Sequence, residues 1–158
     1  MPDSLSIVNP PSRERKPLGE LGESMAADFL IENGYRLVLT NFKVPVGRNS
    51  KGVQVTGEID IVALDGETLC FIEVKTRRSD DFTPIETNVN LRKQRQISRT
   101  ARVYRRIFSV YEMQHRYDVV AVLLAKGETP RIELSKGFWT DSSFRKARWN
   151  DGLYRDFI

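Results

Sequence analysis

The chain has 158 residues, 40% hydrophobic and 29% charged, which fits one soluble domain with a real core. Its net charge of +4 is a modest basic excess that points toward a polyanionic partner. One cysteine excludes an internal disulfide framework, one histidine excludes His-rich zinc sites and argues against a Ser-His-Asp enzyme, and no run nears the ~20 apolar residues of a membrane span.

Without a hydrophobic signal core at its start, the chain reads as cytoplasmic. Residues 1–17 are rich in Pro, Ser and charge and read as a flexible tail. The domain proper is expected over 18–158, with an extension from about residue 126. From Gly19 to Asn33 the pattern is helical. Leu21, Met25 and Phe29 recur at four-residue spacing, flanked by Ala26 and Leu30. Gly34 is placed to close the helix in the left-handed conformation. Glu20 and Glu23 lie in the first turn, where the helix dipole favours acids. Glu23 also borders the apolar stripe and is placed to reach a core-side cleft, whereas Glu20 sits a turn earlier. Tyr35 to Val44 reads as a strand ended by Pro45. Residues 45–57 are Gly-rich and polar, a flexible loop or an extended hairpin. They carry Arg48 and Lys51, which could grip a phosphate backbone or simply be solvated.

The most informative stretch is residues 57–77, GEIDIVALDGETLCFIEVKTR. Two apolar, β-branched runs flank Asp65-Gly66, which predicts a hairpin with a tight turn. With that dipeptide at the centre, Leu64 pairs with Glu67, Val62 with Leu69, Asp60 with Phe71 and Glu58 with Glu73. Glu58, Asp60, Glu73 and Lys75 then share one face, and Ile59, Ile61, Ala63, Cys70, Ile72 and Val74 share the other. Asp60 and Glu73 become diagonal neighbours, about 7–8 Å apart at the backbone. Carboxylates at that spacing can lean together on one divalent cation. They can equally be the acids of a salt-bridged strand end with Lys75. Both faces are apolar near the turn, as in a sheet covered on both sides.

Beyond Arg77 and Arg78 comes a loop to Asn90, then the longest helical pattern, Leu91 to about Tyr111. Ile97, Ala101, Tyr104, Phe108 and Tyr111 form its apolar stripe, and Lys93 lies on the same side at the helix start. Arg92, Arg95, Arg99, Arg102 and Arg106 form a second stripe on the opposite side. A charged stripe is usually a solvated face. Here no acid occurs between Glu86 and Glu112, and such a face repels itself unless a polyanion lies on it. Tyr117 to Ala125 is a buried-type strand whose Asp118 reads as structural. Arg131 to Leu134 can add a short edge strand. The aromatic-rich tail from Phe138 onward is expected to cap the core, with base stacking as the alternative.

The order helix, strand, hairpin, helix, strand, with Asp60, Glu73-Val74-Lys75 and Glu23, resembles the PD-(D/E)XK nuclease superfamily. The blocks GELGESMAADFLIENGY, GEIDIVALDGETLCFIEVKTRR, LRKQRQISRTARVY and RYDVVAV resemble more closely the YraN family of endonuclease-like proteins, relatives of archaeal Holliday junction resolvases. The resemblance covers about residues 18–125. It implies an α/β, restriction-endonuclease-like αβα sandwich on a central mixed β-sheet, ordered as helix, three-strand meander, helix and strand. It also implies hydrolysis of phosphodiester bonds with Mg²⁺ or Mn²⁺. The partner would be nucleic acid, DNA foremost, with branched or flapped DNA among the substrates, a homodimer as one arrangement and no membrane.

Residue by residue, Asp60 and Glu73 match the metal-binding acids, Lys75 the superfamily lysine, and Glu23 the first-helix acid, a third metal ligand directly or through water. Lys93 and Gln94 match a lysine–glutamine position in the following helix, beside a nucleic-acid face formed by Arg77, Arg78, Arg92, Arg95, Arg99 and Arg102. The chain departs from the superfamily pattern in having Ile59 where a proline precedes the first acid. Its 45–57 segment is long, and residues 1–17 and 126–158 show no match. Two other readings stand beside the nuclease: a catalytically silent nucleic-acid-binding module with this fold, and an interaction protein whose acid–lysine cluster is a buried salt bridge.

Overall fold

A computed structural model describes residues 17–78 and 89–144. Most of the expected tail, the stretch 79–88 and the end of the chain, with Trp149, Tyr154 and Phe157, lie outside the described residues. The elements run α1 (Leu18–Glu32), β1 (Arg36–Arg48), β2 (Gln54–Asp65), β3 (Thr68–Arg77), α2 (Leu91–Ile107), β4 (His115–Leu123) and β5 (Arg131–Trp139). They form one five-stranded sheet in the order β1-β2-β3-β4-β5. The β3–β4 pair is parallel and the others are antiparallel. A parallel neighbour requires a crossover, which α2 provides. Ala26 and Leu30 of α1 pack on Ile61, Ala63, Cys70, Ile72 and Val120. Ile97, Ala101 and Tyr104 of α2 pack on Val62, Leu69, Phe71 and Val119 from the other face. The result is the αβα sandwich on a mixed sheet that the resemblance implies. β3, covered on both faces, is buried from Leu69 to Val74.

Both helices sit close to the sheet because glycine leaves room for them. The buried line of α1 is Gly22, Ala26 and Leu30, not Leu21, Met25 and Phe29, and Leu21 is exposed. A Cβ at Gly22 would lie 1.7 Å from Thr76 Oγ1 on β3. Small residues, rather than the largest apolar ones, therefore decide which face docks. Gly57 on β2 does the same for α2, since a Cβ there would lie 2.0 Å from Thr100 Oγ1. At the end of α1, Tyr35 N–H donates to Leu30 O and Gly34 N–H to Ile31 O. With Gly34 at φ +88°, these bonds make the expected left-handed stop a Schellman motif. Asn90 caps α2 by accepting from Lys93 N–H at 3.0 Å.

The hairpin exists, but its register differs from the sequence expectation by two residues. Leu64 pairs with Leu69, Val62 with Phe71 and Ile61 with Ile72. The turn residues are Gly66 and Glu67, with Gly66 at φ +60° and Glu67 outside the positive-φ set. That is the type II′ arrangement, with Gly at the first central position, rather than I′ centred on Asp65-Gly66. Asp65 is instead the last strand residue, held by Arg116 at 2.8 Å and Lys136 at 3.1 Å. These two cations hold its carboxyl below the usual range and anchor the turn one step further along.

Pro45 does not end β1, because β1 is an edge strand and tolerates a missing N–H donor. Pro45 pairs with Thr56, and the two strands continue as an extended hairpin to Arg48 and Gln54. Arg48 donates to Gly52 O across its tip. α2 ends at Ile107, short of Tyr111. Phe108 and Tyr111 are 49% and 44% exposed rather than core. The last strand, β5, runs past Leu134 to Trp139. Trp139 is buried, stacks on Tyr117 at 4.8 Å and donates to Ser98, so this described part of the tail caps the core. Asp118 is fully buried and accepts from Arg116, Tyr35 and the Gly137 N–H. Such a saturated buried charge is structural.

Candidate functional site

One step past Ile61–Ile72 the register brings Asp60 opposite Glu73, and there the β2–β3 ladder stops. The sequence reading set the two acids on a diagonal. The two-residue shift makes them face each other directly. The Asp60 carboxylate takes over from the ladder, with Oδ2 accepting from Val74 N–H at 2.8 Å. Asp60 is also where β2 turns over. Ile61 faces α1, whereas Ile59 packs with Val62 toward α2. The expected common face of Ile59 and Ile61 is therefore broken at the acid between them. β1 turns over at the same level, where Asn41 takes φ +52°. Glu58 stands apart from Glu73 and pairs with Lys43 of β1 at 3.5 Å.

Glu73 is 3% exposed. Its Oε1 meets Lys75 Nζ at 2.9 Å and Lys93 Nζ at 3.5 Å. The expected inward aim of Lys93 from the start of α2 is observed. Among the described residues, Glu73 Oε2 is buried without a hydrogen-bond partner. A buried carboxylate oxygen left unpaired is costly, and it marks the point where a further cationic or donor group would fit. Burial, and next the charge of Glu73, push the Asp60 carboxyl up to about 7. The Val74 N–H and Lys93 act in the other direction. Glu23 is also raised, first by burial and then by Glu58. At Asp60, burial and the neighbouring acids together outweigh the Val74 N–H and Lys93.

Glu23 reaches the cleft from α1, beside the close contact at Gly22. With Glu20, Ser24, Thr40, Asn41 and Asp60 it lines a cavity of about 280 Å³. Glu20 therefore shares the cleft, contrary to its expected position one turn away. Asn41, Ser24 and Thr40 are the polar lining residues that sequence reasoning missed. Asn41 had a signal, because Asn is depleted in strand interiors and enriched at positive φ. The other assigned residues divide. Arg92, Arg95, Arg99, Arg102 and Arg106 are all exposed along α2. Arg95 lies over the Phe144 ring at 5.9 Å. Arg78 is exposed and Arg77 half-buried at the end of β3. Gln94 is turned away from the acids, its amide donating to Val89 O at 2.7 Å, so it braces the entry to α2.

Asp60 and Glu73 offer only oxygen donors. An all-oxygen set suits Mg²⁺ or Mn²⁺ rather than a softer metal. The orphaned Glu73 Oε2 beside a crowded Asp60 fits such an ion. Among the described residues, no group of three or more His, Cys, Asp and Glu is close enough to hold a metal together. Glu23 thus lies in the cleft without joining Asp60 and Glu73 in a tight triad.

The sandwich, a mixed five-stranded sheet with a helix on each face, defines an α/β fold class, and its acids and lysine gather where β2 and β3 part. Its particular place within that class comes from its relatives. Residues 22–122 match the Uncharacterised protein family UPF0102, and the chain belongs to that family, the YraN family of the sequence resemblance. A UPF0102 protein of Trichlorobacter lovleyi is 43% identical over 117 residues, 73% of this chain and 84% of its own. One from Renibacterium salmoninarum is 41% identical over 128 residues, 79% of this chain and 98% of its own. Among solved structures, Archaeoglobus fulgidus Hjc, a Holliday junction resolvase from an archaeal hyperthermophile, aligns with a TM-score of 0.35 at 19% identity. That alignment covers 73% of this chain and 75% of that one. SSO0001 aligns with a TM-score of 0.36 at 17% identity, covering 86% of this chain and 59% of that one. Among the described residues, no helix is long and apolar enough to cross a membrane.

Proposed function

We propose that the chain is a Mg²⁺- or Mn²⁺-dependent nuclease that hydrolyses phosphodiester bonds of DNA, with branched or flapped DNA as the substrate class to test first. The observation that carries this reading is the buried Glu73 carboxylate, with one oxygen on two lysines and the other unpartnered among the described residues, facing Asp60. Asp60 and Glu73 would hold the ion. When bound, it would polarise a phosphoryl oxygen and lower the pKa of a bound water. Lys75, about a third exposed beside Glu73, would orient the attacking water and offset negative charge gathering on the phosphoryl group. Lys93 supports the same end of the cleft from α2. Glu23, on the α1 side, would accept from water. The exposed arginines of α2 would lie along the phosphate backbone, each neutralised phosphate adding to affinity without reading sequence.

A second reading, a nucleic-acid-binding module without turnover, draws support from the lack of a three-acid cluster among the described residues and from Lys75 already being bound to Glu73. Titration calorimetry separates the cation site from a plain salt bridge. The nuclease reading expects Mn²⁺ binding in the wild type that is lost in Asp60→Ala and in Glu73→Ala. Unchanged binding in both variants removes the assignment.

A further inference from the structure

Asn41 sits in the interior of β1, a place where a positive φ is a strained outlier for most residues. It stands opposite Asp60, since Thr40 pairs with Ile61 on one side and Phe42 with Ile59 on the other. Thr40 and Ile61 line the cavity beside α1. Phe42 and Ile59 pack toward α2, with Phe42 edge-on to Tyr104 at 5.1 Å. Both strands thus turn over at this one step, and the step places Asp60 between two faces of the sheet. The Asn41 amide, in the same cavity lining as the Glu23 carboxylate, opposes the upward push of burial on that acid. Asn41, Glu23 and Asp60 line one cavity. Residue type matters here. Gly and Asp also accept the left-handed conformation, but Gly has no amide and Asp would add another acid to a crowded cleft.

We propose that Asn41 is a positioning residue of the site: its left-handed backbone presents Asp60 at the parting of β2 and β3, and its amide fixes the Glu23 carboxylate at the same cleft. This rests on the cation-site reading above and adds a residue to it. Asn41→Gly keeps the backbone angle and deletes the amide. Glu23→Ala deletes the group that the amide holds. The test is a double-mutant cycle on the full chain, read by Mn²⁺ titration calorimetry and, without metal, by urea unfolding. Each single variant is expected to weaken Mn²⁺ binding by about tenfold, the scale of one hydrogen bond to a charged group. The double variant should bind no worse than Glu23→Ala alone. Asn41→Ala should have a lower urea midpoint than Asn41→Gly, because only alanine is strained at this φ. Losses that multiply in the double variant, or wild-type affinity in Asn41→Gly, overturn the proposal. If the wild type binds no Mn²⁺, the cation reading fails and the urea cycle decides alone. Non-additive midpoints then support Asn41 acting through Glu23, and additive midpoints overturn it.

Discussion

Asp60→Asn should stabilise the protein near neutral pH in the absence of metal while abolishing its use of metal. The carboxyl is raised from 3.8 to about 7, first by burial and then by Glu73. A folded-state value above the unfolded one means that the folded chain binds more protons across this window. Stability therefore falls as pH rises from about 4 to about 7, with the full penalty present above that. At 1.36 kcal/mol per pH unit, the rise from 3.8 to about 7 sets a ceiling of about 4 kcal/mol. Glu73 shares the repulsion, so about 2 kcal/mol is the expected gain, roughly 5 °C in Tm for a chain of this size. Asparagine keeps an oxygen for the Val74 N–H, which limits the change to charge. Thermal unfolding with a chelator present, at about pH 8 and about pH 4, gives the comparison. The variant should melt higher at the upper pH and level with the wild type at the lower. Millimolar Mn²⁺ should raise the wild-type Tm and leave the variant unmoved. A variant that is less stable at both pH values would show that Asp60 is a structural acid and refute the reasoning.

Lys75→Ala should lower cleavage by about 10²–10³-fold, the scale of a lost electrostatic group in the transition state. Mn²⁺ affinity measured alongside should change far less, and a variant that fails to fold would favour the buried salt bridge. Replacing Arg95, Arg99 and Arg102 together with Ala should flatten the plot of log affinity against log salt for duplex DNA by as much as about 2.7, at about 0.9 per phosphate. Wild-type binding by that triple variant would make the stripe a solvated face and move the DNA contact to Arg77, Arg78 and the β1–β2 hairpin.

The order of elements was legible because period and turn chemistry agree along the chain. Alternation marks the hairpin, Gly34 and Asn90 punctuate the helices, and YDVVAV has the unbroken apolar run of a strand covered on both faces. The acids and Lys75 were legible too, since their parity survives a two-residue slip. What failed depends on partners far along the chain. The register was moved by Arg116 and Lys136 holding Asp65, which no local rule for Asp-Gly contains. The docking face of α1 was misread because Gly22 earns its place by absence of a side chain against Thr76, and hydrophobic periodicity does not score absence. The turnover at Asn41 and Asp60 breaks the period-2 rule on which the face of Ile59 was read.

The most direct measurement is incubation of the purified chain, with Mg²⁺ or Mn²⁺, with a panel of linear, flapped and four-way DNA, beside Asp60→Ala as control. The nuclease reading expects metal-dependent cutting of at least one substrate by the wild type. It expects Asp60→Ala to bind the same DNA as well or better, with less negative charge near the phosphate, and to cut none of it. A wild type that binds with a steep salt dependence yet cuts nothing with Mn²⁺ would contradict the nuclease and leave the binding module. Equal cutting by Asp60→Ala would place the chemistry outside the acid–lysine cleft altogether.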